Sequence, residues 1–265
     1  MIQDIQNQPD SRNIPIDKVG VKDLRYPITV LDRDNGTQQT VASINMYVNL
    51  PHHFRGTHMS RFVEVLNAYH HRLHIDTIGE ILLKIKDALE AEASHMEITF
   101  PYFLTRKAPA TGAESLMEYT CTCIGEYAEK PDFILGVSVP VTTLCPCSRA
   151  MSKKGAHNQR SFVNIMIRYS KLVWIEELID IAEGAGSSPV FALLKREDEK
   201  AVTDRAYDNP RFVEDVVREV AARLNENPRI FWYRVSAENQ ESIHNHSAYA
   251  CIEQVKPNAP DSGTV

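Results

Sequence analysis

The chain has 265 residues and a formal net charge of −6, with 43% hydrophobic and 24% charged residues. This composition is ordinary for a globular protein of about two domains, or one large one. A negative net charge gives no overall field that would attract nucleic acid, and no apolar run is long enough to span a bilayer. We therefore expect neither nucleic acid nor a membrane among its partners.

The two ends of the chain differ in composition from its centre. Residues 1–14 are rich in Gln, Asn, Asp and Ser, and residues 256–265 contain two prolines and a glycine, so both are predicted to be disordered tails. The first twenty residues lack the apolar core of a secretion signal. Five cysteines are an odd number without the density of a disulfide scaffold, which favours a reducing, cytoplasmic location.

Residues 15–130 are predicted to form a first unit with the element order β-β-α-α-β-β. Polar and apolar residues alternate through residues 40–50, which predicts a strand with one buried face after the turn signal Asp34-Asn35-Gly36. Apolar residues at helical spacing from Phe62 to Leu73 predict a helix, and a second helix follows Asp76 or Thr77. Strands are expected at residues 24–31, 96–104 and 116–127.

Residues 131–255 are predicted to repeat this order in a second unit. Strands are expected at residues 133–142, 161–168, 230–237 and 248–254, and helices at residues 174–183 and after Asn209-Pro210, with a less regular helical region at residues 189–207. No residue-level repeat is visible, so the duplication rests on element order alone. The order predicts an α+β fold with antiparallel sheets joined edge to edge and helices on one face.

The second unit contains an apolar strand that ends at Cys145-Pro146-Cys147, followed by a polar loop that closes at residues 155–161, Gly-Ala-His-Asn-Gln-Arg-Ser. Pro146 fixes its own φ and biases Cys145 towards an extended backbone, which would hold the thiol still as a metal ligand or nucleophile requires. A buried structural thiol is the alternative. The polar, basic loop favours a site for an anionic ligand.

Side chains that suit a metal ion collect at predicted strand ends and loops of the second unit: Cys145, Cys147, His157, Glu197, Glu199, His244 and His246. Mixed sulfur, nitrogen and oxygen donors suit Zn²⁺, with Mn²⁺ or Fe²⁺ possible where oxygen dominates. A catalytic metal keeps an open position and lowers the pKa of its water to about 7, which supplies a nucleophile for hydrolysis. The spacing is not that of a zinc finger.

Three further groups each allow two interpretations. His244 and His246 would point the same way in an extended backbone and could carry protons, or they could be solvated loop residues. Glu214 could complement the dipole of the helix that it opens, or accept two N–H donors from a purine edge. His58, Ser60 and Arg61 enter a helix whose N-terminal amides favour phosphate, yet surface charge is the usual role of such residues.

Other basic candidates for an anion are Arg106, Lys107, Lys153, Lys154 and Arg160. The sequence has no phosphate-binding Walker loop and no Gly-x-Gly-x-x-Gly motif, so ATPase and Rossmann functions lack support. Any anion must therefore be held by a local cluster of these groups.

These segments resemble the GTP cyclohydrolase type IB family over nearly the whole core. The closest matches lie at residues 56–62, 144–148, 155–161, 193–196, 198–200, 209–215 and 241–249, whereas residues 19–25 match loosely. The resemblance implies a bimodular tunnelling fold in which β-β-α-α-β-β units assemble into β-barrels with helices outside, in a homotetramer. It implies hydrolysis of GTP to formate and 7,8-dihydroneopterin triphosphate, the first step towards folate and related pterins.

The resemblance also assigns roles to matching positions. It puts a divalent metal ion, zinc, manganese or iron, on Cys145, His157 and Glu199. It makes Glu214 the residue that holds the guanine edge. His244 and His246, with Cys145, become the predicted catalytic residues. The predicted substrate-binding set is completed by His58, Ser60, Arg61 and Arg160.

Two other functions remain open at this point. A nitrile reductase of the same superfold would use Cys145 or Cys147 as a covalent nucleophile with NADPH, but clustered His and Glu donors favour a metal. A non-catalytic metal-binding protein would close its site with four protein ligands. We expect the two cysteines to differ, because Cys145 ends the rigid strand and Cys147 begins the polar loop.

Overall fold

The computed structural model describes residues 6, 8, 10–52, 54–69 and 77–257. The described residues divide into two compact units, one of residues 6, 8, 10–52, 54–69, 77–101 and 122–134, the other of residues 102–121 and 135–257. The predicted boundaries at residues 15–130 and 131–255 stay a prediction. The end of the helix predicted to reach Leu73, and the alternative cap Asp76, lie outside the described residues.

The first half of the chain has the predicted element order. Its elements are β1 (Ile16–Asp32), β2 (Gly36–Leu50), α1 (Met59–Ala68), α2 (Ile78–Ala88), β3 (Ser94–Lys107) and β4 (Glu114–Tyr127). The turn between β1 and β2 forms as predicted, because Gly36 takes a φ of 80° and the Asp32 carboxylate accepts the backbone N–H groups of Asp34 and Asn35. In β2 the apolar residues Ala42, Ile44, Met46 and Val48 are buried, as the alternation predicts.

The second half has more elements than predicted. They are β5 (Pro131–Leu144), α3 (Pro146–Met151), β6 (Asn158–Tyr169), α4 (Ile175–Ala185), β7 (Ser188–Pro189), α5 (Arg196–Asp208), α6 (Val213–Glu226), β8 (Ile230–Asn239) and β9 (Ala248–Val255). The region at residues 189–207, which was predicted to be a less regular helix, thus begins at the end of the short strand β7 and contains the regular helix α5.

The segment after β5 corrects one prediction. It was expected to be a polar loop, whereas residues Pro146–Met151 form a helix. Proline is favoured at the first position of a helix, since its missing N–H would have no partner there. Cys145 is the residue before the helix and is extended, with φ −67° and ψ 116°, as the proline predicts.

The pairs that β5, β6, β7, β8 and β9 form with one another run antiparallel. β5 pairs with β6, β6 with β8, and β8 with β9, while β7 adds two residues to β5. In the first unit β1 pairs with β2, and β2 with β3. In the part of the chain that the structure describes, β1 and β9 are edge strands with one neighbour each. The fold class is therefore α+β with antiparallel strands, and the sheet is not closed.

Helices α4 and α6 bury apolar faces in the second unit. The buried side chains of α6 include Val213, Val216, Val217, Val220 and Leu224. They lie at helical spacing, so the helix predicted after Asn209-Pro210 is confirmed. Lys256, which follows β9, is held against the end of α6, because its ammonium group donates to the carbonyls of Leu224, Asn225 and Asn227. No helix within the described ranges is long and apolar enough to cross a membrane.

Candidate active site

The site is built where β5 ends beside the start of β6. The strand register sets Leu144 opposite Asn158 and Thr143 opposite Gln159. The next hydrogen bond runs from the Cys145 backbone N–H to the His157 carbonyl, at 3.2 Å. The two predicted metal ligands that are twelve residues apart in sequence are thereby neighbours across the strand pair.

Cys145 and Cys147 have different surroundings, as expected. Cys145 is partly buried, and its Sγ accepts the backbone N–H of Ser148 at 3.4 Å. Ser148 Oγ in turn accepts the backbone N–H of His157 at 3.2 Å. Cys147 is exposed on α3. Cys145 is therefore tied to the backbone of the His157 loop, whereas the Cys147 thiol faces solvent.

The His157 ring is held through one of its two nitrogens. Nδ1 lies 3.0 Å from Gln159 Oε1 and 3.6 Å from Glu241 Oε2, and only 13% of the His157 side chain and 14% of the Glu241 side chain are exposed. Nε2 has no hydrogen-bond partner among the described residues. We call Cys145, His157, Gln159 and Glu241 the strand-end cluster.

A chain of buried polar side chains is hydrogen-bonded to the strand-end cluster through Gln159. Gln159 Nε2 donates to Thr143 Oγ1 at 3.0 Å, and Thr143 and Ser161 hydroxyls lie 2.7 Å apart. Ser161 Oγ donates to Asn239 Oδ1 at 2.7 Å. Because Ser161 has a single hydroxyl proton, Thr143 must be the donor to Ser161. This hydroxyl chain, Thr143, Ser161 and Asn239, runs across β5, β6 and β8.

Two loops are attached to the same end of β5. The Leu144 backbone N–H donates to Ser187 Oγ at 3.0 Å, and the Leu144 carbonyl accepts the Arg211 backbone N–H at 3.0 Å. Gly186 makes this approach possible, since a Cβ there would lie 2.8 Å from Val141 Cβ. The second loop leads directly into α6, so the first turn of that helix is anchored to the strand that ends at Cys145.

Glu214 and Asp215 both lie in this first turn but have different contacts. The Asp215 carboxylate accepts the Phe212 backbone N–H at 2.9 Å and so closes the helix N-terminus. Glu214 is exposed, and its carboxylate has no partner in the described ranges of the chain. Asp215, rather than Glu214, supplies the local hydrogen bond at this helix end.

Glu199 lies in the first turn of α5 beside a buried neighbour. Asp198 accepts hydrogen bonds from the backbone N–H groups of Ala110, Thr111 and Lys195 and from the Thr111 hydroxyl. Burial would raise the pKa of Asp198, but the hydrogen bonds, led by that of the Thr111 hydroxyl, hold it well below its usual range. Glu199 is exposed.

The structure brings two of the three predicted metal ligands together. Cys145 and His157 are adjacent, whereas the Glu199 carboxylate contacts neither. Across residues 6, 8, 10–52, 54–69 and 77–257, no three His, Cys, Asp or Glu side chains converge as a metal ion requires. The donor set still suits a divalent metal, because His157 presents an unengaged Nε2 and Cys145 a partly exposed sulfur.

His244 and His246 lie in the turn between β8 and β9, both exposed. Their rings stack with centroids 4.9 Å apart and planes 19° from parallel. The expectation that the two rings share a direction is met, although by a bent loop and not by an extended strand. Their loop also contains Glu241 of the strand-end cluster.

The predicted anion-binding residues of the first unit surround the start of α1. His58 is the residue before the helix, Ser60 is exposed, and Arg61 Nη1 donates to the Ala88 carbonyl at the end of α2, at 2.8 Å. We call His58, Ser60 and Arg61 the α1 entry. Arg160 belongs to the second unit, where it is exposed on β6.

Sequence reasoning did not assign roles to Gln159, Glu241 or the hydroxyl chain. One signal was available: Gln159 and Ser161 follow His157 at intervals of two, so a strand places all three on one side. The Gln159–Glu241 contact joins residues 82 apart and has no local signal.

Comparison with solved structures shows the fold alone. A uricase from Bacillus fastidious matches with a TM-score of 0.56 and 8% identity, covering 91% of this chain and 93% of that one. The urate oxidase of Bacillus sp. TB-90 matches with a TM-score of 0.55 and 9% identity, covering 91% and 99%. The predicted tunnelling fold is thereby confirmed at the level of the single chain.

Comparison with sequences is more specific. The chain is 59% identical over 256 residues to GTP cyclohydrolase FolE2 of Geobacter sulfurreducens, covering 97% of this chain and 99% of that protein. It is 57% identical over 258 residues to the FolE2 of Pseudothermotoga lettingae, covering 96% and 99%. A family model described as type I GTP cyclohydrolase folE2 matches residues 2–250. The chain therefore belongs to the type I GTP cyclohydrolase FolE2 family.

Proposed function

We propose that this protein is a metal-dependent GTP cyclohydrolase, which hydrolyses GTP to formate and 7,8-dihydroneopterin triphosphate at the start of folate and pterin synthesis. The family match over residues 2–250 is the observation that carries the proposal. The adjacency of Cys145 and His157 at a strand end agrees with it. The nitrile reductase alternative has no comparable support, since the named relatives are cyclohydrolases.

The metal would be held by Cys145, His157 and Glu199 and would be zinc, manganese or iron. His157 is prepared for this role, because Nδ1 is engaged and Nε2 is left for a ligand. Glu199 would join from the first turn of α5, where its carboxylate is exposed. When bound, a divalent metal would activate water for attack on C8 of guanine.

Glu214 would hold the guanine edge. Its carboxylate is exposed and without a partner among the described residues, and Asp215 already serves the helix end, which weakens the interpretation that Glu214 is only a dipole partner. A carboxylate accepts two N–H groups side by side, as the guanine edge offers. The anchor from Arg211 to Leu144 ties this helix to the strand of Cys145.

His244 and His246 would carry protons during ring opening and the second hydrolysis. Histidine changes its charge near neutral pH, which suits repeated proton transfer. The two stacked rings are exposed and so have access to solvent protons. Their loop also contains Glu241, which lies beside His157, so they belong to the same end of the second unit.

The triphosphate would be bound by the α1 entry, that is His58, Ser60 and Arg61, together with Arg160. Cations and the N-terminal amides of a helix both favour phosphate. We further propose that the active form is a homotetramer in the cytoplasm, with barrels completed by edge strands of several chains. The edge strands β1 and β9 are available for such pairing, and all five cysteines are free thiols, which suits a reducing compartment.

A metal-reconstitution assay with GTP tests the proposed reaction. Chelation should abolish formate release and pterin fluorescence, and Zn²⁺, Mn²⁺ or Fe²⁺ should restore both to different degrees. Full turnover by rigorously metal-free protein would exclude the metal. Light scattering on the active protein should give the mass of a tetramer, and a fully active monomer would exclude the assembled site.

A further inference from the structure

Gln159 and Glu241 are the members of the strand-end cluster without a role in the proposed reaction, and Gln159 contacts both His157 and Glu241. The Gln159 side chain is 7% exposed, and both of its polar atoms are hydrogen-bonded. Oε1 contacts His157 Nδ1 at 3.0 Å, while Nε2 donates to Thr143 Oγ1 at 3.0 Å and to Glu241 Oε1 at 3.4 Å. These contacts give the buried amide one defined orientation.

Two neighbours determine that orientation independently. The Glu241 carboxylate only accepts hydrogen bonds, so it requires the NH₂ group of Gln159 on its side. The Thr143 hydroxyl gives its proton to Ser161, because Ser161 gives its own to Asn239, so Thr143 also requires a donor from Gln159. Reversing the amide would set an oxygen against both acceptors and leave each unsatisfied in a buried position.

The orientation of Gln159 decides the tautomer of His157. With the amide oxygen against Nδ1, that nitrogen must carry the proton. The neutral ring then has its lone pair on Nε2, which is the nitrogen without a partner in the described part of the chain. A metal ion binds a neutral imidazole through such a lone pair.

We propose that Gln159 is a positioning residue, which fixes His157 as the Nδ1–H tautomer and holds its ring so that Nε2 is the metal-binding atom. The inference rests on the proposed metal site. Glu241 and the hydroxyl chain both fix the amide, since Glu241 accepts from Gln159 and Asn239 on the neighbouring strand β8 sets the donor order of Ser161 and Thr143. Hydrogen-bond partners of a metal-ligating histidine typically contribute about 10- to 100-fold to metal affinity.

Zinc affinity, measured by competition with a chromophoric chelator on the full-length protein, tests this role without reference to turnover. Gln159→Met keeps the size of the side chain but removes its polar atoms, and should weaken zinc binding about 10- to 100-fold. Gln159→Asn keeps the carboxamide but is one methylene group shorter, so its oxygen no longer reaches Nδ1 and zinc binding should weaken about 10- to 100-fold here too. Thr143→Val removes one buried hydrogen bond but leaves Glu241 to orient the amide, so it should lower Tm with little loss of zinc affinity.

The outcomes separate positioning from simple structural support. Unchanged zinc affinity in Gln159→Met would overturn the proposal. It would also be overturned if Gln159→Met and Thr143→Val both lost zinc affinity in proportion to their loss in Tm. If Gln159→Met does not fold, a folded Gln159→Asn with unchanged zinc affinity would overturn the proposal, and a weakened affinity would support it. His157→Ala tests the metal site itself: retained zinc affinity there means that the site, and not only the role of Gln159, is wrong.

Discussion

Residues 155–161, which supply His157 and Gln159 to the strand-end cluster, resemble the α1 entry in sequence, since each has histidine, serine and arginine next to an element boundary. In the structure they differ. The cluster is assembled by strand register, and its polar side chains bind one another. In the α1 entry, Arg61 is engaged by a carbonyl of α2 and Ser60 is exposed. The polar side chains of the strand-end cluster are therefore ordered by one another, whereas Ser60 and Arg61 of the α1 entry have separate surroundings.

The largest expected effect is at the strand-end cluster, and it tests whether Cys145 is needed for metal binding and turnover. Cys145→Ala removes a sulfur that is tied to the His157 loop, so metal content and formate release should both fall below detection. Cys147→Ala is the matched control, because its exposed thiol on α3 has no contact in the described ranges. It should keep the metal and measurable turnover. Metal analysis beside a formate assay decides between them, and the reverse pattern would move the ligand to Cys147.

The next effect concerns adjacent residues of α6. Glu214→Ala should weaken GTP binding by about 1–3 kcal/mol, or roughly 5- to 150-fold, since the guanine N–H groups lose their acceptor. Its melting temperature should hardly change. Asp215→Ala should behave in the opposite way and lose about 1 kcal/mol of stability, because the Phe212 N–H loses its partner. Calorimetric titration with GTP and thermal melts measure both, and unchanged GTP affinity in Glu214→Ala would restore the helix-dipole interpretation.

A smaller effect distinguishes the two arginines proposed for the triphosphate. Arg160→Gln should raise KM for GTP several-fold at low salt, less at high salt, and leave Tm unchanged, since Arg160 is exposed. Arg61→Gln should also lower stability by about 1 kcal/mol, because the bond to the Ala88 carbonyl is lost. Kinetics at two salt concentrations and thermal melts check this. A KM independent of Arg160 would remove it from the substrate-binding set.

The smallest effect concerns the support of Glu199. The pKa of Asp198 is lower in the folded protein than in the unfolded chain, so its stabilising contribution is present above pH of about 4 and is lost as pH falls through the folded value. Asp198→Asn should therefore lower Tm at neutral pH, with a difference from the wild type that narrows in acid. Melts from pH 7 to pH 3 measure it, and a constant difference would show that the Asp198 charge plays no part.

Local patterns predicted most of the fold. The alternation in β2 and the periodicity of α6 are properties of consecutive residues, and both are confirmed. Helix α3 was missed because six residues carry too little periodicity against a proline that also suits a loop. Cys145 and His157 could be named from sequence, but Gln159 and Glu241 could not be paired, since only the meeting of β6 with the end of β8 brings them together.

The hydroxyl chain has a consequence for how protons reach the reaction. Ser161 passes its only proton to Asn239 and receives that of Thr143, so every link already has a fixed direction. A proton wire must reverse each link as a charge passes, and the amide of Asn239 cannot do so while it serves as the terminal acceptor. The hydroxyl chain therefore cannot carry a proton between His157 and the protein interior. In the proposed reaction, protons would reach the site from the solvent side, where the exposed His244 and His246 lie.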